Sequence, residues 1–190
     1  MQRQLRLLER GGVGVDGTSA EYSPCKLWRY SLTRLWRPAD GHDEHAGSVA
    51  FVALNPSTAT EYEDDPTVRR MIRFAKEWGH GGLVVLNAFA YRSTDPRGLY
   101  NVADPVGVEN DFAILRWVAR VSRLVVAWGR HGTLHGRSHY LSRLLADANP
   151  MCLGTNGDGS PKHPLYVAAD TPLRRWTGRP MTRADGCREP

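Results

Sequence analysis

The sequence predicts an α/β fold: a three-layer α/β/α sandwich with a mainly parallel central sheet, plus an N-terminal antiparallel edge strand. Three observations carry this expectation. Short apolar runs recur at SVAFVAL (48–54), GLVVLNAF (82–89), RLVVAW (123–128) and MCLG (151–154), and such runs suit strands covered on both faces. Segments with helical spacing separate them, and this alternation requires crossovers that build a parallel sheet with helices on both sides. The 190 residues are 41% hydrophobic and 24% charged, which is one globular domain's worth of chain, able to bury a core without disulfides or a structural metal.

In chain order, residues 1–22 are polar and glycine-rich and read as a flexible tail. Trp28, Tyr30 and Leu32 alternate with polar neighbours in KLWRYSLTRLW, the period of a half-buried strand. The turn-like RPADGHDEHAG leads into 48–54. Asp65 and Pro66 pair an N-cap acid with a proline at the first helical position, and Val68, Met71, Ile72, Ala75 and Trp78 follow at helical spacing up to Gly79. Asp104-Pro105 repeats that signal and predicts a second helix with Phe112, Leu115, Val118 and Ala119 inward. A third helix carries Tyr140, Leu141, Leu144 and Leu145. A single α/β domain is expected over 23–176, with a flexible basic tail over 177–190.

The formal charge of +5 suggests nucleic acid only where the basic residues sit on the domain itself. They do not: residues 1–10 carry a net +2 and residues 171–190 a net +3, leaving 11–170 with 17 basic and 17 acidic residues. That neutral body is polarised along the chain. Residues 39–67 hold seven acids and no Lys or Arg, whereas 112–146 hold six arginines and no acid. Cys25, Cys152 and Cys187 are widely separated, with no CxxC pair, which fits a reducing compartment. No apolar segment resembles a leader or a membrane span. A soluble, cytoplasmic protein with no membrane partner is expected; the sequence does not set its oligomeric state, and a monomer is favoured.

In open parallel sheets, ligands bind beyond the carboxyl ends of the strands. Four such ends are rich in polar chemistry. The first is Asn55-Pro56-Ser57-Thr58, an amide, a fixed φ and two hydroxyls, suited to orienting water or cradling phosphate, or to a plain Asx turn. The second holds Asn87, with Phe89 and Tyr91 beyond it; the third is Trp128-Gly129-Arg130-His131; the fourth, GTNGDGSPKHP, contains His163. Arg130 and Arg137 could hold phosphate. Of the acids 61–65, Asp65 is needed as a helix cap, which leaves Asp64 as the catalytic candidate. His131, His135 and His139 are spaced by four, but Gly132 and Gly136 interrupt them and no HExxH or cysteine pair completes a zinc set. No metal and no cofactor is expected. The absence of GxxxxGK[ST] and GxSxG leaves P-loop ATPases and α/β-hydrolases unsupported, and the one GxGxxG match, Gly12 to Gly17, lies in the polar lead-in rather than between a strand and a helix, which leaves Rossmann dehydrogenases unsupported as well.

LNPSTATEYEDDPTVRR, GGLVVLNAFAYRSTDPRGL, DPVGVEND, VVAWGRHG and KHPLYVAADTPL together resemble a bacterial family known as domain of unknown function 1643, over roughly residues 26–176. More distantly, the order of motifs resembles the uracil-DNA glycosylase superfamily. That likeness rests on a strand ending in Asn-Pro, a strand bearing an Asn, a strand ending in Trp-Gly, and a late His-Pro loop. The second resemblance implies that Asn55 positions a water, Asn87 reads a base edge and His163 stabilises charge on the departing base. Leu54 and Leu165 depart from that superfamily's glycine and serine, and the second departure speaks against a duplex substrate. The leading expectation is an N-glycosidic hydrolase acting on a base in nucleic acid or on a modified nucleoside or nucleotide. The alternatives are a non-catalytic nucleotide or nucleic-acid sensor module and a phosphoryl-transfer enzyme.

Overall fold

The structure is a computed structural model that describes residues 9–10, 17–41 and 43–178. Among these, eight strands form one sheet: β1 (Glu9–Arg10), β2 (Ser19–Tyr22), β3 (Arg29–Leu35), β4 (Ser48–Ala53), β5 (Gly82–Asn87), β6 (Arg123–Val126), β7 (Met151–Cys152) and β8 (Arg174–Arg175). Their spatial order is β1-β2-β3-β5-β4-β6-β7-β8. The four apolar runs make the parallel centre, β5-β4-β6-β7. The remaining neighbours pair antiparallel.

The antiparallel part is therefore larger than the single edge strand expected. β3 lies inside the sheet between β2 and β5, and all seven of its residues are buried. Two of its polar positions are satisfied internally: Ser31 Oγ donates to Glu21 at 2.7 Å and Arg34 Nε to Asp64 at 2.9 Å. Alternation of polar and apolar residues thus marks two covered faces here, one of them polar. Ser19–Tyr22, inside the segment expected as a tail, supplies Ala20 and Tyr22 to the core. Most of the two expected tails lies outside the described residues.

Three helices complete the layers: α1 (Pro66–Glu77), α2 (Asn110–Val118) and α3 (Arg137–Leu144). Successive strand residues point to opposite faces. One face presents Val49, Phe51, Val85 and Val125 to Met71 and Phe74 of α1. The other presents Ala50, Val52, Leu86 and Val126 to Ile114 and Trp117 of α2 and to Leu141 of α3.

α1 starts as the sequence predicts, with Asp65 Oδ1 accepting the Val68 N–H at 2.8 Å. α2 does not. Asp104 Oδ1 takes the Val106 and Gly107 N–H groups at 3.0 and 2.9 Å, which closes a turn of its own and delays the helix to Asn110. The inward face is then Asn110, Ala113, Ile114 and Trp117, while Phe112 and Leu115 are exposed. In α3, Leu141 faces inward and Tyr140 outward.

β4 leads to α1 on one face and β6 leads to α3 on the other, yet β4 and β6 are neighbours. Their loops diverge at that point, which opens a crevice at the carboxyl ends of the strands.

Candidate functional site

A cavity of about 620 Å³ occupies that crevice, within the usual range for small-molecule sites. All four strand ends contribute: Asn55, Ser57 and Thr58 after β4, Asn87 at the end of β5, Trp128 to His131 after β6, and His163 in the loop after β7. α1 closes one side with Pro66, Val68 and Met71.

Asn55 is held by its own amide. Its Nδ2 donates to the Pro56 carbonyl at 3.0 Å and to the Ser93 carbonyl at 2.7 Å, and the Ser93 N–H returns to Pro56 at 2.9 Å. Both N–H groups are thereby used, so Oδ1 is the atom Asn55 keeps for a ligand, and it can only accept. Pro56 is buried and serves through its carbonyl; it does not line the cavity.

Asn87 is 1% exposed, and its Nδ2 has no hydrogen-bond partner among the described residues. Its strand is fixed from outside the cavity, because Asn110 Nδ2 on α2 donates to the Asn87 carbonyl at 3.0 Å. An unpaired buried donor costs about 1–3 kcal/mol unless a ligand acceptor meets it.

His163 sits before a short 3₁₀ turn, Pro164–Tyr166, and its Nδ1 accepts the Leu165 N–H at 3.4 Å. That places the proton of the neutral ring on Nε2. Burial pushes the imidazole pKa down to about 4, with Asp65 opposing, so the ring is a neutral donor at physiological pH. The His163 loop is a closed hairpin: Thr155 bridges Pro161, Lys162 N–H returns to Gly154 at 2.9 Å, and Asn156 is bonded to Ser160. Gly129 N–H donates to Pro161 at 2.9 Å and joins this hairpin to the β6 end.

Trp128 forms a wall. It is 1% exposed, its Nε1 donates to Ser138 Oγ at 3.1 Å, and it meets Trp176 edge to face at 5.0 Å. Gly129 adopts φ 69 and ψ −170, a region open essentially to glycine alone. Arg130 is exposed at the mouth, and Tyr100 Oη lies 3.2 Å from His131 Nδ1.

Besides Pro56, four expected candidates stand outside the lining. Asp64 pairs with Arg34, 2.8 Å from its Nη2, and does not line the cavity. Phe89 is fully buried against the α2 face, and Tyr91 packs edge to face on Trp28 at 6.3 Å. Arg137 is buried, bonded to the Ala88 carbonyl at 2.7 Å and paired with Asp111. Nor do the three spaced histidines share a helix face, since His135 sits at φ 52 in a kink before α3. Among the described residues, no cluster of three His, Cys, Asp or Glu could hold a metal ion.

Three charged residues line the cavity that were not expected there: Arg29, Lys162 and Asp65, the last expected only as a helix cap. Arg29 was hidden by its place in an alternating strand, where it reads as a solvent-facing residue. With Arg130, the lining holds three permanent cations against the single carboxylate of Asp65.

A family model described as "Protein of unknown function (DUF1643)" matches residues 29–165. The chain belongs to the DUF1643 family. The DUF1643 span runs from Arg29 to Leu165 and contains every residue of the cavity lining except Tyr166. Comparison with curated proteins finds no match, and neither does comparison with solved structures. No helix among the described residues is long and apolar enough to cross a membrane.

Proposed function

We propose that this cavity is the substrate site of an N-glycosidic hydrolase acting on a base in nucleic acid or on a modified nucleoside or nucleotide. One observation carries the reading: a fixed acceptor (Asn55 Oδ1), an unpartnered buried amide donor (Asn87 Nδ2) and a neutral imidazole donor (His163) line the same cavity. In this reading Asn87 bonds an acceptor on the base edge, and Asn55 accepts a hydrogen bond from a water and aims its oxygen at the anomeric carbon. The C1′–N bond breaks as the water oxygen bonds to C1′. The bonding pair leaves with the base, and the water's proton passes to solvent or to the released base.

His163 Nε2–H donates to the base as negative charge builds on it, which is stabilisation where charge develops. A neutral donor suits this because it keeps its proton through the step. An oxocarbenium-like transition state asks little of the nucleophile beyond orientation, so a carboxylate base is not required. The likeness of motif order to the uracil-DNA glycosylase superfamily supports the same roles for Asn55, Asn87 and His163.

The test is base release from a panel of modified oligonucleotides, nucleosides and nucleotides. Wild type should release a free base from one class, and Asn55→Ala and His163→Ala should each slow release by about 10²–10³-fold. Tight binding without release in every sample would overturn catalysis and leave a sensor module. Transfer of phosphate instead of base release would move the site to the phosphoryl-transfer class.

A further inference from the structure

Arg29 stands at the start of β3 and lines the cavity, yet is only 2% exposed. Its Nη1 donates to the Ala59 carbonyl, and its Nε is buried with no acceptor. Among the described residues it forms no salt bridge. A buried guanidinium without a counter-ion carries a large desolvation penalty, and natural sites normally offset it with a paired anion. No carboxylate among the described residues pairs with it directly: Asp65, which lines the same cavity, favours the charge from nearby, while Arg34 and Arg92 oppose it. Burial brings Arg29 down to about 10, so it stays a cation at neutral pH. The chain thus maintains a positive charge with no directly paired carboxylate, facing a cavity whose other permanent cations, Arg130 and Lys162, add to it.

We infer that Arg29 is the inner anchor of an oxyanion subsite, and that the group it receives is a terminal phosphate monoester. The terminal position follows from burial. A phosphodiester inside a strand continues on both sides and would have to thread chain past a residue that is almost wholly enclosed, whereas a terminal phosphate enters by one end. A planar guanidinium offers paired donors that match phosphate oxygens, and the Nε–H, which has no acceptor in the protein, leaves one donor of such a pair unmet. The inference deepens the reading of the cavity as a nucleotide site and narrows it to a phosphorylated ligand, but it does not require catalysis. The monoester can come from a free mononucleotide or from a phosphorylated strand end.

Two measurements test it on the full chain. The first follows the Arg29 Nε–H resonance in wild type during titration with inorganic phosphate; a saturable shift is expected. The second compares binding of 5′-mononucleotides, the matching nucleosides, and short oligonucleotides with and without a 5′-phosphate. Mononucleotides should bind wild type about 10–100-fold more tightly than nucleosides, the range for a charge-assisted hydrogen bond, and Arg29→Gln should abolish that preference. Binding of the 5′-phosphorylated oligonucleotide alongside the mononucleotide would extend the ligand to strand ends; its failure would restrict it to free nucleotides. Should Arg29→Gln fail to fold, Arg29→Lys replaces it, with a weakened preference expected. An unmoved Arg29 resonance, equal binding of nucleoside and nucleotide, or an undiminished preference in a folded variant would each overturn the inference. If inorganic phosphate engages Arg29 while no nucleotide binds, the anion subsite stands and the nucleotide reading falls.

Discussion

His163 shows how one side chain couples stability to the proposed chemistry. Its folded pKa of about 4 lies below the ordinary imidazole value of 6.5, so between these values the unfolded chain binds the proton that the folded chain refuses. The contribution to stability is therefore complete above about pH 6.5 and is lost as pH falls towards 4. Wild type should lose about 1–2 kcal/mol more than His163→Gln between pH 7 and pH 5 in urea melts, the part of the shift that falls in that window. His45 and His80, whose pKa values burial also lowers, add an acid sensitivity common to both proteins. Parallel melts with no difference between the two would remove His163 from the account. Asn55 and His163 were legible as candidates because strand ends of a parallel sheet are where polar residues collect. Arg29 was not: strand alternation assigns it to solvent, and only the insertion of β3 between two other strands buries it.

At the scale of elements, signals that end in a local hydrogen bond read correctly, and those that depend on phase do not. Asp65-Pro66 gave the true start of α1 because the cap bond spans three residues. Asp104-Pro105 carries the same letters, but its carboxylate is used in a turn, and the displaced start rotated the buried face of α2. The turn after β6 is the most constrained element around the cavity. A Cβ on Gly132 would stand 2.0 Å from Trp128 Cδ1, and the indole cannot give way because it is enclosed. Gly132→Ala should cost about 1–3 kcal/mol, the range for overpacking, and should weaken any ligand of the cavity by shifting the Trp128 wall. Gly157→Ala, with nothing within 4 Å of the added carbon, is the control and should be close to neutral. Equal melting temperatures for the two variants would show that the turn is slack.

For the molecule as a whole, the layered α/β plan and the location of the cavity follow from the four apolar runs and their strand ends. The antiparallel extension on both flanks does not, since β1, β2 and β8 are short and polar in sequence. These flanks still hold core: Trp176, just past β8, is 4% exposed, donates its backbone N–H to Pro150 at 2.8 Å and packs on Trp128. Trp176→Ala should destabilise the domain by about 3–5 kcal/mol in a single cooperative transition by chemical denaturation. A loss confined to the C-terminal edge, with the cavity intact, would show that β8 is an appendage. Asn55, finally, ties the span between two crossovers to the direction of one lone pair. Its amide is taut between a carbonyl beyond β4 and one beyond β5, so the distance between these strands sets where its oxygen points. Under the proposed hydrolysis, a substitution deep in the β4–β5 seam, far from any ligand, would be felt as a misdirected water, and the twist of the sheet would become a determinant of rate.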